Sequence, residues 1–241
     1  DSSGASRIAV YLTDDQSLTF DKVFIDLQKL EIKVEDDGVD SLGGWFTLNI
    51  RPGVYDILKF RNGLDTLFAT GAIPANRKLQ KLRLTLGNNN SVEKDGKTFP
   101  LALHNDRPEV IARLDATNVE FIQPDQFQFW LDFDAGRSIR EHHGQFELES
   151  QVRIFTKKTA GRIEGKVLPN EAQAVVLAIN GTDTASARPE NNGEFKFIGL
   201  QTGTYQLFID ATANSYRDSV INNVHVTGGE DTKIGTITLR K

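Results

Sequence analysis

The sequence predicts an all-β chain built as two tandem β-sandwich-like domains, the second a small seven-stranded sandwich. Three observations carry this. Period-two alternation of apolar residues dominates, sustained helical periodicity is hard to find, and beyond residue 155 the strands become shorter and evenly punctuated by turns.

Ile8, Val10 and Leu12 alternate along a first strand that ends at Thr13-Asp14-Asp15. Val23, Ile25 and Leu27 share one face of the next, and Leu30, Ile32 and Val34 keep the period with the opposite parity. One extra residue near Gln28-Lys29 restores a single buried face, so a β-bulge is expected there. Asp36-Asp37-Gly38 reads as a turn. Only Val54 to Thr70 has room for a short helix, limited by Gly53 and Gly63. Leu82, Leu84 and Leu86 alternate with Lys81, Arg83 and Thr85, the pattern of a strand with one wet face. Lys94-Asp95-Gly96-Lys97 is a hairpin signal, because Asp-Gly accepts the positive φ of a tight turn. Phe127, Phe129, Leu131 and Phe133 lie opposite Gln128, Trp130, Asp132 and Asp134, and Phe146, Leu148, Val152 and Ile154 close the first half.

Thr156-Lys157-Lys158-Thr159-Ala160-Gly161 reads as a linker, which sets the domains at 1–158 and 159–241. Strands are expected near 162–168, 173–180, 184–188, 193–198, 203–211, 219–227 and 232–240. Asn180-Gly181, Asn191-Asn192-Gly193, Thr202-Gly203 and Gly228-Gly229 separate most of them.

Composition narrows the function. The 241 residues carry 28 basic and 33 acidic side chains, a net charge of -5, spread along the chain. That balance offers no field for a polyphosphate, so nucleic acid is not an expected partner. There is no cysteine, which removes disulfides, thiolate nucleophiles and cysteine-bound zinc. No apolar run is long enough to span a bilayer as a helix. The chain has no methionine and opens on polar Asp1-Ser2-Ser3-Gly4-Ala5-Ser6. That start suits a tether after a removed signal segment as well as it suits a chosen boundary.

The second half resembles the carboxypeptidase regulatory-like (transthyretin-like) domains. The residues that carry this are Gly165-Lys166-Val167, Asn192 through Phe197, Ile198-Gly199-Leu200, Gly203-Thr204-Tyr205, and the closing Val224-His225-Val226 and Ile234-Gly235-Thr236-Ile237. The resemblance implies a transthyretin/Ig-like sandwich that serves as a structural or interaction module without an active site. The first half resembles a bacterial family catalogued as domain of unknown function 4382. It does so through Leu12-Thr13-Asp14, Phe20 to Val23, Val54 to Leu58, Asn62-Gly63, Leu82-Arg83-Leu84 and, most specifically, Leu131-Asp132-Phe133-Asp134-Ala135. Asp15-Gln16 stand where that family usually has Ala-Pro. The resemblance implies an exported, often lipid-anchored protein and supplies no activity.

Candidate chemistry is sparse. Asp14, Asp15, Asp132 and Asp134 are the candidates for a hard-cation site such as calcium, which takes six to eight oxygens. The competing reading, favoured because their spacing matches no calcium loop, pairs the strand aspartates with Arg83, Arg137 or Arg153, or has them cap backbone N–H groups. No metal or other cofactor is therefore expected. Trp45 and Trp130 are the candidate ligand-binding residues, since flat rings stack on sugars; the competing reading has them cover an apolar patch or seal the domain junction. His142-His143 point to opposite faces if on a strand and make a poor chelate. No nucleophile elbow or phosphate-cradling loop is present.

The expected function is thus a non-enzymatic, exported bacterial surface or periplasmic protein of adhesion or structural type. Its partners would be surface proteins or polysaccharide, with membrane attachment only through a lipid anchor outside this chain. The alternative is a carbohydrate-binding accessory protein. A hydrolase is the third reading, and it requires two carboxylates converging in a cleft.

Overall fold

The computed structural model describes residues 4–14, 19–35, 44–113, 122–181 and 183–241. The first half contributes β1 (Ala5–Thr13), β2 (Lys22–Glu35), β3 (Trp45–Thr47), β4 (Asn49–Ile50), β5 (Gly53–Asp56), β6 (Thr66–Pro74) and β7 (Lys78–Leu86). It continues with β8 (Ser91–Lys94), β9 (Lys97–Leu103), β10 (Glu109–Arg113), β11 (Asp125–Phe133), a single helical turn α1 (Ala135–Ser138), β12 (Ile139–His142), β13 (Gln145–Leu148) and β14 (Val152–Phe155).

These strands form two facing sheets. A five-stranded sheet runs β14-β11-β1-β6-β4, and a nine-stranded sheet runs β10-β7-β2-β8-β9-β13-β12, with β3 and β5 also paired to β2. Ile8, Val10 and Leu12 meet Phe129 and Leu131 on the inner face of the first sheet, across from Ile25, Leu30, Ile32, Leu82 and Leu84 of the second, all within one core. The bulge in β2 is present: its register against β7 shifts between Leu27 and Lys29, so both halves of this 14-residue strand keep their apolar side chains in the core. Asp95 and Gly96 take positive φ in the β8–β9 turn. The segment 54–70 holds no α-helix. Ile57–Phe60 makes one turn of 3-10 helix between β5 and β6, because strand pairing of Val54 to Asp56 with β2 leaves too little chain for more. The turn expected at Asp36-Asp37-Gly38 lies outside the described residues.

The second half is a seven-stranded Ig-like sandwich. Its strands are β15 (Gly161–Leu168), β16 (Val175–Asn180), β17 (Asp183–Ala187), β18 (Glu194–Leu200), β19 (Gly203–Asp210), β20 (Ser219–Val226) and β21 (Asp231–Thr238). They divide into sheets β18-β15-β21 and β17-β16-β19-β20. Ile163, Val167, Phe195 and Phe197 of one sheet pack on Val176, Ala178, Leu207, Ile209 and Val224 of the other. Among the described residues this core shares none with the first, so each sandwich buries its own apolar faces. Tyr205 enters the core from β19, and its hydroxyl donates to the Gln201 carbonyl at 2.9 Å.

The segment between the sandwiches is an ordered turn. Ala160 N–H donates to the Thr156 carbonyl at 3.1 Å, the Thr156 and Thr159 hydroxyls lie 3.0 Å apart, and Gly229 N–H donates to the Ala160 carbonyl at 2.9 Å. That last bond ties the connection to the β20–β21 turn.

Candidate functional site

Most of the side chains singled out in the sequence converge where the first sandwich meets the edge strands β17 and β18 of the second. Asp14, Asp132 and Asp134 are all buried, at 6%, 2% and 9% exposure. Asp15 lies outside the described residues. Asp14 Oδ1 accepts from Ala135 N–H at 3.1 Å, which fixes the end of β1 against α1. Asp134 caps α1 by accepting from Arg137 N–H at 2.9 Å. Asp132 Oδ2 accepts from Arg153 Nε at 2.8 Å, across the β11–β14 pair that places the two residues opposite each other.

These carboxylates orient two arginines that reach the second sandwich. Arg153 Nη1 donates to the Gly199 carbonyl on β18 at 2.9 Å. Arg137 Nη2 donates to Asp183 Oδ1 at 2.6 Å and to the Thr184 carbonyl at 3.2 Å, both on β17. A third contact comes from Asn62. Its Oδ1 accepts from Lys196 N–H on the outer edge of β18 at 2.8 Å, and its Nδ2 donates to Glu190 Oε1 at 3.0 Å. Edge strands expose unpaired backbone groups, and here the first sandwich supplies partners to both edges on one side of the second.

Two glycines permit this approach. Gly63 (φ +76) and Gly199 (φ +74) adopt left-handed backbone, and a Cβ on either would fall 2.9 Å from Lys196 Cγ and 2.6 Å from the Phe155 ring, respectively.

Between the sandwiches lie a cavity of ≈ 20 Å³ bordered by Asp14, Asp132, Asn62 and Lys196 and one of ≈ 100 Å³ bordered by Asp134, Arg137, Arg153, Asp183 and Tyr205. Among the described residues, no group of three or more His, Asp or Glu side chains is arranged to hold a metal ion. Burial raises the Asp134 pKa above its ordinary value. The Arg137 N–H bond opposes the rise, the Asp132 charge adds to it, and Arg137 and Arg153 pull the other way.

The sign gives a prediction. A carboxyl whose folded pKa is raised weakens the fold when charged, and that penalty fades as pH falls through the raised value. Asp134→Asn keeps an oxygen to cap Arg137 N–H and removes the charge. Its melting temperature should equal or exceed wild type at about pH 7, with the difference shrinking as pH falls through the raised pKa and lost below the ordinary carboxylate range. A large loss at neutral pH would mean that pairing with the arginines outweighs burial.

The two tryptophans sit in different surroundings. Trp130 is 7% exposed and lies between Tyr11 (ring centroids 5.2 Å) and Phe155 (6.0 Å), both stacked on it. Its Nε1 donates to Asp65 Oδ2 at 2.8 Å, and Lys157 Nζ sits 5.6 Å from the ring. The alternation of β11 does place Trp130 on the face away from the core. The loop through Asp65 and the connection through Lys157 lie over it, in line with the reading that the ring covers an apolar patch at the junction. Trp45 is half-buried on the outer face of the nine-stranded sheet, with the Arg83 guanidinium 4.1 Å over its ring and Lys81 Nζ at 5.7 Å. Arg83 also forms a two-pronged pair with Glu31, at 2.7 and 3.0 Å. That bond, helped by Lys29, lowers the Glu31 pKa.

Sequence reasoning missed the clasp of Asn62, Arg137 and Arg153 on the second sandwich. The signal available was Asn62-Gly63, a dipeptide suited to a turn with two positive φ values, in a loop with no strand of its own to serve.

Comparison with known proteins decides the family. The model of the domain of unknown function (DUF4382) matches residues 5–150. The chain belongs to this family. The match includes Asp14, Asn62, Asp132, Asp134 and Arg137, and stops short of Arg153. Among curated proteins, the pyrogallol hydroxytransferase small subunit of Pelobacter acidigallici is 36% identical over 85 residues, covering 31% of this chain and 30% of that protein. The chain thus spans about a third of that relative's length. Among solved structures, a type II cohesin–X-dockerin complex from Acetivibrio cellulolyticus shows 26% identity over 32% of this chain and 56% of that chain, with a TM-score of 0.27. The major pilin subunit BcpA of Bacillus cereus shows 13% identity over 99% and 71%, also with a TM-score of 0.27. Both scores lie below those of a shared fold.

Proposed function

We propose that this family member is a non-catalytic, extracytoplasmic structural protein of adhesion type, in which two independently folded domains, 1–158 and 159–241, are held as one stiff unit. The observation that carries the reading is the clasp. Asn62, Arg137 and Arg153 come from three separate elements, and each hydrogen-bonds to an edge strand of the second sandwich. A tether between freely moving domains gains nothing from such pairing, whereas a spacer that transmits orientation or load requires it. Asp132 holds the Arg153 guanidinium, and Asp134 lies 3.5 Å from Arg137 Nε, so both carboxylates face arginines of the clasp. The strand order and turn residues of 161–241 support a carboxypeptidase regulatory-like module, and the likeness of both halves to exported proteins supports an extracytoplasmic location.

The test is unfolding of the whole chain in denaturant, followed by the fluorescence of Trp45 and Trp130 for the first sandwich and by amide exchange of the β16 and β19 core for the second. Coupled domains lose both signals together. The variant Asn62→Ala/Arg137→Ala should separate them by destabilising the docked state while each core survives. Two separate transitions in wild type, unchanged in the variant, would refute a stiff junction.

A further inference from the structure

The chain contains the Asn-Gly steps Asn62-Gly63, Asn180-Gly181 and Asn192-Gly193. Such a step is chemically soft, because glycine has no Cβ to keep its backbone nitrogen away from the preceding side-chain amide. At the junction the first of them is held from both sides. Asn62 (φ +58) and Gly63 (φ +76) form the middle of a tight turn, closed by Leu64 N–H donating to the Arg61 carbonyl at 3.2 Å. The buried Thr13 hydroxyl, at the end of β1, donates to the Leu64 carbonyl at 2.9 Å and lies 3.2 Å from that of Phe60. From the second sandwich, Lys196 N–H and Glu190 Oε1 take the two ends of the Asn62 amide. The Lys196 methylenes also pack on the turn, so close that a Cβ on Gly63 would fall 2.9 Å from them.

We propose that Asn62 is a deamidation site that the clasp keeps closed and that, once reacted, leaves the junction open. The proposal rests on the stiff-junction reading above. In the reaction the Gly63 nitrogen attacks Asn62 Cγ. The new C–N bond forms, the bond to Nδ2 breaks, and ammonia leaves with the proton of the Gly63 N–H. Water then opens the succinimide ring at either carbonyl, giving aspartate or isoaspartate. One water is consumed and one ammonia released, with no change of oxidation state. The attack needs Cγ to swing over the Gly63 nitrogen, which breaks both amide contacts with the second sandwich. A clasped chain therefore reacts slowly and an open one quickly. The product does not restore the clasp: a carboxylate has no N–H to donate to Glu190 and sets a like charge beside it. In the isoaspartate form the backbone also runs through an extra methylene, which spoils the turn between Arg61 and Leu64. Opening of the junction is thus recorded covalently, and a stiff unit becomes a flexible tether.

Peptide mapping by mass spectrometry of the full chain, incubated at mildly alkaline pH, tests this. Native Asn62 should react roughly tenfold or more slowly than it does in urea, since two hydrogen bonds must open first. Arg137→Ala/Glu190→Ala leaves the Asn62-Gly63 step intact and removes contacts that hold it, so its native rate at Asn62 should rise several-fold. Asn192 is the reference, because the Gly193 N–H stays bonded to the Glu190 carbonyl at 2.7 Å through the backbone, and its rate should not change. Asn62→Asp, the mimic of the product, should separate the unfolding signals of the two sandwiches. Asn62→Asp/Glu190→Gln should bring them together again, because a glutamine amide can donate to the new carboxylate. Native Asn62 reacting as fast as in urea, or no faster in the double alanine variant than in wild type, would overturn the proposal. So would a gain shared equally by Asn192, which would mean general loosening, or an Asn62→Asp chain that unfolds as wild type does. The stiff junction is judged by the wild-type unfolding curves alone, so its failure and that of the deamidation site are told apart.

Discussion

Trp130→Ala is expected to cost about 3–5 kcal/mol, the range for removing a large buried aromatic side chain. The indole is stacked on both faces, by Tyr11 and by Phe155, and its N–H is bonded to Asp65. Deletion leaves a cavity between two rings and frees the Asp65 loop, which also carries the Asn62 clasp. Such a loss is a large fraction of the 5–15 kcal/mol that holds a typical domain together. Trp130→Phe should recover most of the packing but lose the bond to Asp65, for a cost of about 1 kcal/mol. Denaturant melts read both. An alanine variant as stable as wild type would return Trp130 to the candidates for ligand contact, since the ring would then be held for something other than packing.

Arg153→Ala should cost about 3 kcal/mol. Asp132 is 3% exposed at its side chain, and removing the guanidinium strands a buried carboxylate; breaking such a pair costs about 3–5 kcal/mol. The low end applies because Arg153 itself is 38% exposed, so water reaches part of the site. Asp132→Asn added to Arg153→Ala should restore part of the loss, since the uncompensated charge disappears. The single variant also removes the bond to the Gly199 carbonyl, so its defect extends to the second sandwich. If the double variant is no more stable than the single, the cost comes from the lost contact with Gly199 and not from charge burial.

The strands were legible because their apolar residues alternate and their turns are chemically marked. In the second sandwich the seven expected strands appear within a few residues of their places, and most of the connections between them carry an Asn-Gly, Thr-Gly or Gly-Gly step. The β2 bulge was legible for the same reason: only an extra residue reconciles Leu27 with Leu30 on one face. Alternation fails at Trp130. It reports which face of β11 a residue occupies, and cannot report that a loop some 65 positions earlier folds over that face. The junction was hidden for a related cause. Asn62, Arg137 and Arg153 are ordinary loop and edge residues in sequence, and their shared task exists only once β17 and β18 lie beside them.

The stiff junction is the claim on which the functional reading depends, and the absence of cysteine makes it directly measurable. Spin labels on cysteines introduced at Thr98 in the first sandwich and Glu230 in the second, both exposed, report the distance between them by double electron–electron resonance. A clasped junction predicts a single narrow distance distribution that broadens in Asn62→Ala/Arg137→Ala. A broad distribution in the wild-type chain, unchanged by those substitutions, would contradict it.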